Sequence, residues 1–163
     1  MQIAIDTGAV KNRRTLRFST IDDALVEVER IAQAEGDGRL VCMGNWTTGQ
    51  VLGHLATWTE FAYTGAPLNP PFFIRWILRT RKKKFLAGPM PAGVKIPKVE
   101  NGTLGTEPMS TADALARYRA IMQRLAREAP VKPNVIFGPM THDEWIQLSL
   151  RHAELHLSFL QIG

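Results

Sequence analysis

Apolar side chains recur at the three- and four-residue spacing of an amphipathic helix in four stretches of the chain. Each stretch begins with a threonine or serine, and an acidic or amide residue follows three positions later, which is the signature of a helix N-cap. Runs that alternate between apolar and polar residues are few, so strands are expected to be minor. The pattern predicts four helices, at residues 21–35, 48–64, 111–128 and 142–161.

The connections between these helices differ greatly in length. Short links join the first helix to the second and the third to the fourth, which suits antiparallel neighbours. Residues 65–110 separate the second helix from the third, and a link of that length can cross the whole bundle. The predicted fold is therefore an all-α four-helix bundle in up-down-down-up order. It forms one domain over residues 1–163, and a short amphipathic helix is expected at 72–85 within the crossover.

Composition places the chain among ordinary globular proteins. It has 163 residues, of which 45% are hydrophobic and 21% charged, enough to bury one core. No stretch approaches the roughly 18 apolar residues of a membrane-spanning helix, and the N-terminus lacks a signal-peptide pattern. The one cysteine, Cys42, excludes an intrachain disulfide and is expected to be buried. A cytoplasmic location is expected.

Three of the four histidines fall on the apolar stripes. His152 and His156 are four residues apart on the last predicted helix, about 40° apart around its axis and one turn apart along it. In the predicted topology, His54 of the second helix lies in the same layer of the bundle. His142, at the start of the last helix, is expected to be exposed.

Each of these histidines alone would usually be a core residue that hydrogen-bonds a carbonyl group. Burying three polar rings at one depth without a common partner would be costly, and no acidic residue is obviously placed to pair with them. Bundles commonly build metal sites from inward side chains on facing helices. The sequence therefore predicts a divalent metal held by His54, His152 and His156.

Two stretches also resemble a known family. Asn45-Trp-Thr-Thr-Gly-Gln-Val-Leu-Gly-His-Leu and Arg151-His-Ala-Glu-Leu-His-Leu are similar to the DinB/YfiT-like superfamily. Residues 85–97 look like a bacterial subfamily of unknown function within it. The resemblance implies a four-helix bundle that binds nickel or zinc through the three histidines. It also implies a candidate low-molecular-weight thiol cofactor, because some members are thiol-dependent transferases or isomerases.

Three nitrogen ligands leave at least one coordination position open, as catalytic metal sites do. A bound metal would activate a thiol or a water molecule, which predicts an S-transferase or a hydrolase acting on a small electrophilic substrate.

Gln50, Trp58 and Ser149 lie one turn from the histidines and are candidate pocket residues. Each has a structural alternative, since Trp58 can be plain core and Gln50 can serve the helix start. No carboxylate is convincingly placed as a general base: Glu60 and Glu154 are expected to face solvent. This leaves a non-catalytic metal-binding bundle as an alternative.

The crossover combines large apolar residues with a basic run from Arg75 to Lys84. It can be read as a membrane- or nucleic-acid-binding helix, or as a lid that attracts an anionic substrate. The plainest interpretation is a helix that buries Phe72, Trp76 and Ile77 and leaves its cations in solvent. The expected partner is a small-molecule substrate, with no specific nucleic acid and no membrane contact. A homodimer is a candidate assembly, and an interaction protein that uses the basic run remains an alternative.

Overall fold

The computed structural model describes residues 4–163, and the fold is mostly helical with one small sheet. The predicted preponderance of helix and scarcity of strand are confirmed. In chain order the elements are α1 (Ile21–Gly36), β1 (Leu40–Cys42), α2 (Thr48–Thr64), α3 (Phe72–Thr80), α4 (Lys82–Ala87), a 3-10 turn (Glu100–Gly102), α5 (Thr111–Arg127), α6 (His142–Leu157) and β2 (Leu160–Ile162).

The four long helices begin at the residues that their capping signals predict. In each, the side chain of the threonine or serine N-cap accepts a hydrogen bond from the backbone three residues on. In α1, α2 and α6 the side chain of the third helical residue also accepts a hydrogen bond from the backbone N–H of the N-cap residue, which completes a capping box. These reciprocal bonds satisfy amide groups that the first helical turn leaves unpaired.

The predicted fourth helix is too long at its C-terminal end. The helix ends at Leu157, and β2 pairs in antiparallel register with β1, Leu40 facing Ile162 and Cys42 facing Leu160. The two strands satisfy each other's backbone groups, which outweighs the continued helical periodicity of the sequence. Cys42 lies on this small sheet and is exposed, so the expectation that it is buried is wrong.

The core lies where α2 packs against α5 and α6, and where α1 packs against the same two helices. Most of its largest fully buried side chains belong to these four helices, among them Ile31, Leu52, Tyr118 and Leu150, and Leu160 of β2 joins them. Their burial removes apolar surface from water, which is the main stabilising contribution to folding. α2 is therefore held on two sides, and its inward face is rigidly placed.

The crossover differs from its prediction in two ways. Its helical part is two helices, because Arg81 leaves the α-helical conformation at φ −100° and ψ 3° between α3 and α4. In addition, Phe72, Trp76 and Ile77 are exposed, so the expectation that these residues are buried is wrong. Among residues 4–163, no helix is long and apolar enough to cross a membrane.

Candidate metal centre

The close contact between α2 and the crossover depends on two glycines. A Cβ atom at Gly49 would lie 2.0 Å from the carbonyl oxygen of Met109, and one at Gly105 would lie 2.6 Å from Cβ of Thr57. Gly105 also has φ +78°, a conformation that glycine adopts without steric cost. The end of the crossover can therefore lie directly on the face of α2 that carries His54.

The three histidines expected from the sequence lie together. Ring centroids are 4.9 Å apart for His54 and His152, 4.5 Å for His54 and His156, and 4.7 Å for His152 and His156. One ring nitrogen from each residue lies within 4.8 Å of the other two. In the part of the chain that the structure describes, no aspartate, glutamate or cysteine joins this cluster.

Leu104 of the crossover fixes the orientation of the His54 ring. Nδ1 of His54 lies 2.7 Å from the Leu104 carbonyl oxygen, which can only accept a hydrogen bond, so Nδ1 carries the hydrogen and donates it. In the neutral ring the lone pair is then on Nε2, and Nε2 faces the other histidines. Metal-binding histidines are usually held by this kind of hydrogen bond through the second ring nitrogen.

The separation of the facing nitrogens suits a shared cation. Nε2 of His54 lies 3.1 Å from Nε2 of His152. Two nitrogens that bind one tetrahedral zinc at ~2.05 Å are roughly 3.3 Å apart, so the spacing matches such a pair closely. A proton on His152 or a bound cation is needed here, because two lone pairs at this distance repel each other. The donor set, all imidazole, suits zinc, nickel, copper or iron.

Desolvation keeps the rings neutral at physiological pH. His54 is only 2% exposed, and burial lowers its pKa to about 4. Burial, together with repulsion from the neighbouring histidines, also holds the pKa of His152 and of His156 well below the usual value. His152 and His156 are of intermediate burial as whole residues. Neutral imidazole is the form that binds metal.

Two tryptophans form aromatic walls beside the cluster. Trp46 stacks on His156 with the centroids 5.3 Å apart, and its centroid lies 4.9 Å from that of His54. Trp58 lies 6.1 Å from both His54 and His152, and its Nε1 is buried without a hydrogen-bond partner in the structure. Trp46 was not among the predicted pocket residues, although it is eight positions before His54 and directly before the cap of α2.

The other pocket candidates are placed differently. Gln50 uses its oxygen to cap α2 and donates from Nε2 to the Thr106 carbonyl oxygen at 2.9 Å, so it ties the crossover to α2. Ser149 is buried one turn before His152. His142 is half-buried and its Nε2 faces the carbonyl oxygen of Leu125, so the expectation that it is exposed is wrong.

The acidic residues near the cluster have structural partners. Glu154 is buried, not solvent-facing as expected: it accepts from the Phe18 backbone at 2.6 Å and pairs with Arg151 at 2.8 Å. Glu60 is partly exposed and pairs with Arg117. Glu107 is exposed, and its negative charge slightly favours the protonated form of His54. Among the described residues, the groups in and directly beside the cluster are therefore imidazole and indole rings and not carboxylates.

A basic group, Arg13, also acts on the cluster. Arg13 donates to Ser158 Oγ at 2.9 Å and lies over the ring of Phe159, and its charge lowers the pKa of His156 further. Two surface clefts, of about 330 and 300 Å³, are not lined by the three histidines. The smaller cleft is lined by Arg13 and Ser158, and it lies against the same end of α6.

The fold and the cluster together define a mostly helical protein with a three-histidine candidate metal centre. A family described as "Protein of unknown function (DUF1569)" matches residues 10–162. The chain belongs to this family. No curated protein and no solved structure matches the chain.

Proposed function

We propose that this protein is a metal-dependent enzyme whose divalent ion, nickel or zinc, is held by His54, His152 and His156. The observation that supports the proposal best is the convergence of ring nitrogens from three neutral imidazoles on one point. We further propose that the four long helices form an up-down-down-up bundle of the DinB/YfiT-like type, working in the bacterial cytoplasm. Its support is that α1 and α2 each pack against both α5 and α6, as in a group of four packed helices. The order of neighbours differs from the expectation, because the main contacts of the described residues do not join α1 to α2 or α5 to α6, the pairs that the short links connect.

Some residues around the cluster orient the metal ligands, and others line the space beside them. Leu104 holds the His54 ring in the tautomer that presents Nε2, and Gln50 keeps the crossover in place. Trp46 and Trp58 offer apolar walls for a small substrate, and the unpaired Nε1 of Trp58 is a donor for it. When bound, a divalent ion would lower the pKa of a thiol or water at its open position and so supply a nucleophile. The substrate is then a small electrophile.

A second candidate is a non-catalytic metal-binding protein. It is favoured by one observation: the described part of the chain places no carboxylate in the cluster to act as a general base. In this case the ion would mainly stabilise the packing of α2 against α6. Both candidates require the metal, so metal content is the first measurement.

Metal per chain is measured by elemental analysis on protein purified without a metal-affinity tag. We expect about one divalent ion per chain in the wild type, and loss of the ion in His54→Ala and in His152→Ala. His142→Ala is the matched control, because it removes a histidine of α6 that lies outside the cluster. Wild-type protein that stays metal-free after incubation with nickel and zinc would overturn both candidates.

Catalysis is tested on the metal-loaded wild type and on His156→Ala. Glutathione, bacillithiol and mycothiol are each offered with an aryl halide, and an activated ester is offered without thiol. Turnover that needs metal and thiol supports a transferase, and turnover of the ester alone supports a hydrolase. A protein that is fully loaded with metal, inactive in every combination and stabilised on loading would favour the non-catalytic candidate.

A further inference from the structure

Helix α3 presents an apolar face to solvent. The exposed fractions of Phe72 and Trp76 are 83% and 69%, and Phe73, Ile74 and Ile77 are also exposed. At ~100° per residue, Phe72, Phe73, Trp76 and Ile77 lie within an arc of about 140°. Five large apolar side chains on nine residues are far more than scattered surface residues, and such patches mark interaction sites.

The C-terminal end of α3 and the following helix α4 are anchored to the protein, so the apolar face cannot simply turn inward. The guanidinium group of Arg79 packs over Gly138, where a Cβ atom would lie 2.7 Å from Nη2. In α4, Leu86 is buried and Phe85 contacts the ring of Phe137 at a centroid distance of 5.6 Å. Lys82 pairs with Glu144 of α6 at 2.7 Å.

The charged residues that the crossover itself contributes around this face are all basic. Residues 61–99 contain eight lysines and arginines and no aspartate or glutamate. Arg79, Arg81, Lys83 and Lys84 are exposed at the C-terminal end of α3 and along α4. The apolar face is therefore bordered by cations, which complement a negatively charged partner.

We propose that α3 and α4 dock this protein on the surface of a membrane that contains anionic lipid. The aromatic side chains of α3 would enter the boundary between headgroups and acyl chains, while the lysines and arginines contact the headgroups. Exposed aromatic residues combined with clustered cations are the pattern of helices that lie in the interface plane. The docking is peripheral and reversible, because the inserted element is short.

Two other occupants suit the surface less well. A second copy of the chain would cover the apolar face, but it would bring two cationic borders together and like charges repel. A nucleic acid would match the cations, yet it would leave Phe72 and Ile77 without an apolar partner. Of these three occupants, the lipid surface satisfies both the apolar and the charged parts of this surface.

Binding is measured by co-sedimentation with vesicles of phosphatidylcholine alone and of phosphatidylcholine mixed with phosphatidylglycerol. We expect binding to the mixed vesicles only, and weaker binding at high salt because the lipid charge is screened. Phe72→Ser combined with Trp76→Ser should reduce affinity at least about tenfold, since each aromatic group is buried on docking. Lys83→Gln and Lys84→Gln should each reduce it about fivefold.

Matched controls separate docking from general surface effects. Val26→Ser and Val131→Ser remove exposed apolar side chains elsewhere, and Lys11→Gln and Arg127→Gln remove exposed cations elsewhere. All four should bind the mixed vesicles like the wild type. His54→Ala should also bind normally, so this proposal and the metal proposal fail or succeed independently.

Several outcomes would overturn the proposal. These are equal binding of the wild type and the Phe72/Trp76 double variant, binding to single-stranded RNA without binding to vesicles, and a dimer in light scattering that the double variant abolishes. A shift of tryptophan emission to shorter wavelength on adding mixed vesicles, lost in Trp76→Phe, would support it directly.

Discussion

Nε2 of His54 lies 3.1 Å from Nε2 of His152, although the two residues are 98 positions apart in the sequence. Nδ1 of His54 donates its hydrogen to the Leu104 carbonyl oxygen, so Nε2 of the neutral His54 ring carries a lone pair. This lone pair points at Nε2 of His152. The contact is therefore favourable only when a proton or a cation lies between the rings. Acid and metal should compete for this point, and the competition has measurable consequences.

The first prediction concerns the stability of the metal-free protein in acid. Burial lowers the pKa of His54 to about 4 in the fold, from an ordinary value of 6.5. Between these values the unfolded chain binds a proton that the folded chain excludes, so the free energy of unfolding falls as the pH falls. The penalty is absent above pH about 6.5 and reaches about 3 kcal/mol near pH 4, from the 1.36 kcal/mol that each pKa unit represents.

Urea unfolding of chelator-treated protein over this pH range measures the slope. His152 and His156, whose pKa values are also lowered, act in the same direction. His54→Gln should make the profile less steep without removing its slope, because His152 and His156 still contribute. A wild-type profile that is flat between pH about 6.5 and 4 would contradict the structure.

A second prediction concerns the segment that holds the His54 ring. Gly105→Ala would place a Cβ atom 2.6 Å from Thr57 and would force an unfavourable positive φ. The backbone must move, and the Leu104 carbonyl next to it should lose its contact with Nδ1 of His54. Loss of such a supporting hydrogen bond typically weakens metal binding about 10- to 100-fold.

Gly38→Ala is the control for backbone strain alone. Gly38 has φ +68°, but a Cβ atom there meets nothing within 4 Å. Both variants should lose about 1 kcal/mol of stability from strain, and only Gly105→Ala should also lose metal affinity in a zinc titration. Equal affinities in the two variants would show that Leu104 does not support the site.

The histidine cluster could be predicted because the signals that place its residues are local in the sequence. Helix starts follow from capping residues, and the positions of His54, His152 and His156 on their stripes follow from a period of 3.6 residues. Trp46 lies outside any helix, so no periodicity points to it, and the only signal was its place before the cap of α2. Its stack on His156 depends on how the loop approaches α6 in three dimensions.

Tertiary contacts explain the positions where the sequence predictions failed. The last turn of the predicted fourth helix becomes β2 because β1 offers a pairing partner more than a hundred residues earlier in the chain. Glu154 is buried because the Phe18 backbone and Arg151 satisfy its carboxylate. The exposure of Phe72 and Trp76 was missed because apolar periodicity indicates a helix with an apolar face, but not what that face contacts.

A third prediction concerns the buried ion pair of Glu154 and Arg151. Burial raises the pKa of Glu154, so its charge depends on the hydrogen bond from Phe18 and on the nearby cations. Glu154→Gln would leave the guanidinium group of Arg151, only 5% exposed in its side chain, without its anion. Breaking one partner of a buried pair typically costs about 3–5 kcal/mol.

The exposed pair of Arg124 and Glu128 provides the control. Its side chains are about half exposed, and solvent screens the attraction between such exposed partners, so this pair contributes little to stability. Thermal melts of Glu128→Gln and Glu154→Gln should therefore differ clearly. A Glu154→Gln variant as stable as Glu128→Gln would mean that the carboxylate of Glu154 is not charged in the fold.

The last prediction uses Trp46 as a reporter of the proposed metal. Its ring stacks on His156, with the centroids 5.3 Å apart, and Trp58 lies 6.1 Å from two of the histidines. A paramagnetic ion such as copper quenches an indole at this range efficiently. Titration with copper should therefore quench the wild type strongly and Trp46→Phe less. Trp145→Phe is the control, because Trp145 belongs to the hydrophobic core. Copper should still quench the fluorescence of this variant, since Trp46 remains in place. Since the ion acts on Trp46 only when it binds beside His156, quenching that survives unchanged in His156→Ala would place the copper elsewhere.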